Sequence, residues 1–303
     1  MLRKYIVKKD MTKIGFIGQG WIGKHYADDF EARLYEVVRY SLEEPYVQNK
    51  ELIRECEIVF IAVPTPTTPE GFSYEPVVDA LKNLKEGATA VIKSTLAPGT
   101  TEQLQEQFPN LFVVHSPEFL REKMAAYDAS HPDRNLIGIP KDTPEYQQKA
   151  AQVLRILPDA PYNQVMTAGE AEVVKYAGNC FLMTKVLFMN MLYDLVEAKG
   201  DSWKTVRDAM VNDPRIGESH TEPVHASGHH ESGETKTLRG AGGHCFIKDF
   251  EAFRMLHHNL VGDTQADAVM KTLVEFNIKL LKESAKDVDL LQGVYGEDMK
   301  VKE

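Results

Sequence analysis

The first part of the chain alternates short apolar runs with longer amphipathic ones. The runs at Lys13–Ile17, Glu36–Tyr40, Ile58–Val63, Ala90–Lys93, Leu111–His115 and Leu136–Ile139 have strand length, and Val165 begins a further one. Ile58–Val63 (IVFIAV) is apolar throughout, as a parallel strand buried on both faces must be. Lys24–Phe30, Val77–Leu84 and Tyr146–Leu157 carry helical spacing between them. The alternation predicts an α/β fold with a doubly wound parallel sheet, and such sheets take ligands beyond the carboxyl ends of their strands. The strands here end in loops of hydroxyl, proline or carboxylate residues.

At Ala168 the pattern changes. Gly169–Lys199 holds Val173, Val174, Ala177, Phe181, Leu182, Val186, Phe188, Leu192, Leu195 and Val196 at helical spacing, with no proline. A helix of that length exceeds the needs of one core, so it predicts a spine helix and a subunit interface, hence a homodimer. Ser202–Val211, a stretch to Leu260 and Thr264–Glu283 read as further helices, making a mostly helical second domain. The expected organisation is an N-terminal extension over 1–11, a nucleotide-binding domain over 12–168, a helical central domain over 169–284 and a charged, loosely ordered tail over 285–303.

Composition narrows the partners. A net charge of -10 argues against nucleic acid, whose binding needs a basic face. Three separated cysteines, Cys56, Cys180 and Cys245, suit a reducing compartment. No apolar run is long enough for a bilayer and the first residues are charged, so the expectation is a cytoplasmic protein with no membrane partner.

Two glycine-rich stretches carry chemistry. Gly18-Gln19-Gly20-Trp21-Ile22-Gly23 is GxGxxG between a strand and a helix. That is the dinucleotide fingerprint of a Rossmann-type sheet: a tight turn, a close backbone approach to the diphosphate and close helix packing. At the end of the second strand, where an acidic residue usually holds the adenosine ribose, stands Ser41, with Arg39 before it and Glu43 and Glu44 after it. A serine beside an arginine would tolerate a 2′-phosphate, so NADP stays open beside NAD. In Arg239–Phe250 (RGAGGHCFIKDF), glycines precede Cys245 at the start of a helical pattern. A thiol there feels the positive end of the helix and the nearby Lys248, which favours the thiolate; Asp249 follows one turn on. A buried structural cysteine beside a glycine turn fits the same stretch.

KIGFIGQGWIG, IAVPTPT, KSTLAPGTT, SPEFLRE, AEVVKYAGNCFLMTKVLFMN, DPRIG and GGHCFIKD follow one another from Thr12 to Asp249. In that order they resemble the UDP-glucose and GDP-mannose dehydrogenases, nucleotide-sugar 6-dehydrogenases that oxidise a C6 alcohol to a carboxylate with two NAD through a cysteine thiohemiacetal and thioester. The resemblance implies that Cys245 is the nucleophile, with Asp249 supporting it. It implies that Lys175 and Asn179 hold the oxyanion, Glu118 is the base or water-activating carboxylate, Thr95 positions water, and Glu122 is a second carboxylate near the nicotinamide. Gly18, Gln19, Gly20, Trp21, Ile22, Gly23, Val63, Pro64, Thr65, Ser94, Thr95 and Glu122 would line the cofactor, and Glu118, Phe119, Leu120, Lys175 and Asn179 the substrate, expected to be a nucleotide sugar.

Plainer readings stand beside these. Glu118 and Glu122 would also suit a solvated helix face, Lys175 a snorkelling position, Thr95 a cap, and Cys56 and Cys180 an inert core. His220, His225, His229 and His230 lie in a polar loop over 218–237 without metal-ligand spacing; the expectation is a mobile solvated loop and no metal. The sequence also departs from the family. Ile247 stands where proline is usual, His244 precedes the cysteine, the polar loop replaces a short Pro-Gly segment, and the chain ends where the family's third domain begins. A two-electron hydroxyacid dehydrogenase, a half-enzyme needing a partner chain and a non-catalytic NAD-binding remnant are the alternatives.

Overall fold

The computed structural model describes residues 12–121, 124–225 and 238–296. Among these the chain forms strands β1 (Ile14–Ile17), β2 (Val37–Tyr40), β3 (Ile58–Ile61), β4 (Thr67–Thr68), β5 (Gly71–Phe72), β6 (Thr89–Ile92), β7 (Phe112–His115), β8 (Arg134–Ile139) and β9 (Tyr162–Thr167). The helices are α1 (Trp21–Ala32), α2 (Lys50–Ile53), α3 (Glu75–Leu81), α4 (Thr100–Gln107), α5 (Ala125–Ser130), α6 (Pro144–Ile156), α7 (Ala168–Lys199), α8 (Trp203–Val211), α9 (Gly243–Val261), α10 (Thr264–Glu283) and α11 (Val288–Tyr295). The expected extension over 1–11 lies outside the described residues.

The chain divides into two compact units: residues up to Thr65 with Tyr74–Lys175, and Pro66–Ser73 with Tyr176 onward. The division falls inside α7, after Lys175. The first unit is the doubly wound sheet, in the order β2-β1-β3-β6-β7-β8-β9. Neighbours from β2 to β7 run parallel; β8 runs antiparallel to β7 and parallel to β9. Because β1 and β3 are buried along their whole length, each contributes to both faces of the sheet. One face packs through Phe16, Phe30 and Phe60, with Phe16 and Phe60 stacked at 4.9 Å and Phe30 edge-on to Phe16 at 5.3 Å.

α7 starts with a capping box. The Thr167 amide donates to the Glu170 carboxylate at 2.8 Å, and the Glu170 amide donates to the Thr167 hydroxyl at 3.3 Å. The second unit packs α9 and α10 on the later turns of α7 through Tyr176, Met183, Leu187, Phe250 and Val274. The β4–β5 hairpin, though it leaves β3 in sequence, belongs to this unit and packs on α9 and α11.

Two sequence expectations are corrected. Residues 288–295 are helical, with Leu291 and Val294 buried against Ile247 and Leu281, so this part of the tail is folded. The loop expected to be solvated is held over residues 218–225: Thr221 is buried, and Arg207 donates to the Thr221 hydroxyl and pairs with Glu218 and Glu222. His229 and His230 lie outside the described residues.

Candidate active site

In the first unit the glycine-rich turn has the shape a diphosphate requires. Gly18 has φ +90°, and a Cβ there would meet the Ala62 carbonyl oxygen at 2.2 Å. A Cβ on Gly23 would meet the Gly18 oxygen at 1.9 Å, so α1 closes on the turn only because both are glycine. A Cβ on Gly20 would meet nothing within 4 Å, which leaves open space at the start of α1. No side chain caps that helix start. Free amides and an open backbone are what an anion needs there, so these residues fit the diphosphate of a dinucleotide. Trp21 is exposed with its ring edge-on to His25; Ile22 packs toward the sheet core; the Gln19 amide folds back to the Gly18 carbonyl at 3.1 Å.

The loops after β3 and β6 are stitched together. Val63 donates its amide to the Ser94 hydroxyl at 3.0 Å, Ser94 returns a bond to the Val63 carbonyl at 2.7 Å, and the Thr65 hydroxyl donates to the Thr95 carbonyl at 2.8 Å. Pro64 stands exposed between Val63 and Thr65. The loop after β6 is anchored from α7. There the Glu172 carboxylate, fully buried, accepts from the Gly99 and Thr101 amides at 2.7 and 2.8 Å and from the Thr101 hydroxyl at 2.6 Å. Burial pushes its carboxyl up to about 7 against those donors.

Glu118 does not sit on a solvated helix face. The segment 116–121 is neither helix nor strand, and Glu118 is 5% exposed. Lys175 reaches it from the second turn of α7, with Nζ 2.6 Å from Glu118 Oε1 and 2.8 Å from its carbonyl, so Lys175 is a buried ion-pair partner and does not snorkel. Leu120 donates its amide to Glu118 Oε2 at 2.7 Å. Burial works to raise the Glu118 carboxyl, but the Lys175 ammonium and these bonds outweigh it and hold the group below the usual carboxylate range. Arg121 locks the segment by pairing with Asp128, and the Arg134 guanidinium lies 3.8 Å over the Phe119 ring. Glu122 lies outside the described residues.

A second lysine, not singled out by any sequence motif, belongs to this cluster. Lys93, 2% exposed, donates to the Ser116 hydroxyl at 3.0 Å and lies 4.3 Å from the Tyr26 ring centre. Burial lowers it to about 7, with Glu118 opposing and Lys175 reinforcing the shift. His115 beside it is neutral, burial and Lys93 having brought it down to about 3. A lysine ending an otherwise apolar strand was the available signal.

In the second unit, Cys245 is the third residue of α9 and is exposed, while Cys56 and Cys180 are buried. Burial lifts those two thiols to about 11 and about 12, so neither supplies a thiolate near neutral pH. Asp249, one turn beyond Cys245, is fully buried; it accepts from Asn179 Nδ2 at 2.6 Å and pairs with Lys248. The lysine beside the cysteine is thus engaged by a carboxylate. Lys175 and Asn179, one turn apart on α7, are each bound to a different carboxylate, Glu118 and Asp249.

The glycine loop ahead of Cys245 is held from α10 and the turn after it. Asn277 exchanges two bonds with Ala241, at 2.8 and 2.9 Å; Lys286 donates to the Gly240 carbonyl at 2.9 Å; Asp287 accepts from the Gly243 amide at 2.7 Å. A Cβ on Gly242 would fall 1.9 Å from Asp287 Oδ2. Among the described residues no group of three or more His, Cys, Asp or Glu side chains is placed to hold a metal. No helix among them is long and apolar enough to cross a membrane.

Comparison with known proteins adds the following. Residues 30–157 match the profile of the UDP-glucose/GDP-mannose dehydrogenase family, NAD binding domain, and residues 169–278 match the central domain of the same family. The chain is 32% identical over 260 residues to a putative UDP-glucose 6-dehydrogenase of Bacillus subtilis, covering 81% of this chain and 56% of that protein. It is 29% identical over 292 residues to the UDP-glucose 6-dehydrogenase of Streptococcus pneumoniae, covering 82% of this chain and 71% of that one. Its fold superposes on a UDP-glucose dehydrogenase from the archaeon Pyrobaculum islandicum with TM-score 0.75 and 26% identity, over 94% of this chain and 72% of the other. The chain therefore spans little more than half the length of the first of these relatives.

Proposed function

The chain belongs to the UDP-glucose/GDP-mannose dehydrogenase family, and from that premise we propose that it oxidises the C6 alcohol of a nucleotide sugar to a carboxylate with NAD. The observation that carries the proposal is the contrast among the thiols: Cys245 alone of the three cysteines is exposed, at a helix start, behind a glycine loop held by hydrogen bonds. A dinucleotide whose diphosphate was held at the Gly18–Gly23 turn would supply, in its oxidised nicotinamide, the acceptor for each hydride that leaves carbon.

The remaining steps fall to side chains. Glu118 takes the hydroxyl proton, directly or through a water held by Thr95. On doing so it loses the charge that pairs it with Lys175, which frees the ammonium to bind an oxyanion together with the Asn179 amide. The Cys245 sulfur adds to the aldehyde carbon, forming a C–S bond and a tetrahedral thiohemiacetal from which a second hydride can leave. The resulting thioester accepts a water oxygen; the C–S bond breaks, the product is a carboxylate, and the thiol returns with a proton. Asp249 holds Asn179 and Lys248 at the foot of this helix. Phe119 and Leu120 complete the substrate segment. The working form is a homodimer joined along α7.

The test is a count of NADH formed per molecule of UDP-glucose, or of another nucleotide sugar that binds. Two are expected; one would leave an alcohol-to-aldehyde or hydroxyacid enzyme, and none a cofactor-binding remnant or a half needing a second chain. Cys245→Ser should abolish acid formation, with at most one NADH per sugar remaining. Full acid production by that variant would remove the thioester route.

A further inference from the structure

The end of β2 lacks the acidic residue that would hold an adenosine ribose: Ser41 stands there, and its hydroxyl is bound within its own turn to the carbonyl and amide of Glu43, at 3.0 and 3.3 Å. Arg39, two residues earlier, would then be the natural ligand of a 2′-phosphate. In the fold it is committed elsewhere. Its Nε and Nη2 donate to the two Glu31 oxygens at 2.9 and 2.8 Å, Nη2 also donates to Asp28 Oδ1 at 2.7 Å, and Nη1 reaches Gln19 Oε1 at 3.4 Å. The Arg39 side chain is 8% exposed, while Asp28 and Glu31 are half exposed. Asp28, Glu31 and Arg39 line one cavity of about 410 Å³ with Lys24, Tyr46 and Asn49.

The arithmetic of charge is simple. One guanidinium meets two carboxylates, so the cluster carries a net negative charge beside Gln19 of the glycine-rich turn. Four of the five guanidinium N–H groups are engaged in this way, three of them by carboxylates, so little of the fork is left for phosphate oxygens. Lys24 is exposed, and its charge is spent largely on water.

We propose that Asp28 and Glu31 are the specificity determinants of the cofactor site: by engaging Arg39 they turn a 2′-phosphate away and make the chain an NAD protein. They do from α1 what an acidic residue at position 41 would do from β2. The inference rests on the reading that the Gly18–Gly23 turn takes a dinucleotide, and it goes beyond that reading by naming the residues that choose between the two.

The test is equilibrium binding of NADH and of NADPH to the full chain, followed by nicotinamide fluorescence at fixed ionic strength. Wild-type protein should prefer NADH. In Asp28→Asn/Glu31→Gln the guanidinium is released, and NADPH affinity should rise about tenfold or more, the scale of a new charge-assisted bond, while NADH affinity changes little. Adding Arg39→Gln should remove the gain. The proposal is overturned if the double variant gains nothing for NADPH, if the triple variant keeps the gain, or if wild type already prefers NADPH. Should the double variant misfold by circular dichroism, the single variants decide, because each leaves Arg39 one partner and should show part of the gain; no gain in either is fatal. Good NADH binding with NADPH unchanged across the series sinks this assignment alone. Failure of wild type to bind either dinucleotide removes the cofactor reading and this assignment with it.

Discussion

A lysine that ends a strand inside a sheet keeps its charge only against desolvation, and Lys93 is such a residue. Its partners are a hydroxyl and a ring, not a carboxylate at bonding distance. Burial lowers it from 10.5 to about 7, so between those values the unfolded chain holds a proton that the folded one has released. Stability from this residue is therefore gained as pH rises from about 7 toward 10.5 and lost as pH falls through that window. Comparing urea unfolding at pH 7 and pH 9 should show wild type gaining about 1–2 kcal/mol more than Lys93→Met, given a limit of about 1.4 kcal/mol per unit for one proton. Lys286, also lowered by burial, to about 8, is common to both proteins and cancels in the difference. Equal gains would mean that Lys93 stays charged in the fold. Single residues were legible in the sequence only where chemistry narrows the choice: three glycines before a cysteine left two readings, a structural thiol or a reactive one, and the exposure of Cys245 sets aside the buried one. Lys93 gave only its place at the end of an apolar strand, Glu172 gave no sign, and neither did the pairing of Glu118 with Lys175, 57 residues away. Which polar side chains turn inward depends on partners that adjacency in sequence does not reveal.

Elements were legible where one period dominates. The strands β1, β3 and β6, the GxGxxG turn and α7 were readable because apolar runs and a long helical period leave little choice. Helix starts were read late at prolines: α3 begins at Glu75 and α6 at Pro144, since a proline in the first turn gives up only an amide that would have no partner. The β4–β5 hairpin hid in a proline-rich stretch that reads as loop, and α11 hid behind the charges around it. That last omission matters, because the turn before α11 holds the glycine loop of Cys245. Asp287 adopts φ +53°, a left-handed conformation that aspartate and asparagine adopt at lower cost than alanine. Its carboxylate also accepts the Gly243 amide at the start of α9. Asp287→Ala loses both the bond and the conformational tolerance, and leaves Lys286 buried without the carboxylate beside it. The expected cost is about 2–3 kcal/mol in urea unfolding. Asp287→Asn keeps the acceptor and the turn and should lose less than half as much. Equal losses would place the effect in charge alone, and no loss in either would detach this turn from the loop.

Among the described residues buried apolar clusters lie against the sheet in the first unit and among the helices in the second, and α7 contributes residues to both units. Along α7 several of the side chains that neither core uses are large and apolar. Val173, Phe181, Phe188, Met191 and Leu195 are exposed, and Phe181, Phe188 and Leu195 recur every seven residues. A contiguous apolar stripe on a helix surface is costly in water unless another surface covers it. A second copy of the same helix is the economical cover, because a two-fold axis lets one stripe bury itself against its twin. The two phenylalanines are 68% and 53% exposed in the single chain, so charging them should leave its own core intact. Phe181→Glu/Phe188→Glu should therefore sediment as a monomer where the unaltered chain sediments as a dimer, with far-ultraviolet circular dichroism unchanged. An unaltered chain that is monomeric at tens of micromolar, or a charged variant that remains dimeric, would show that this stripe is not where two copies meet.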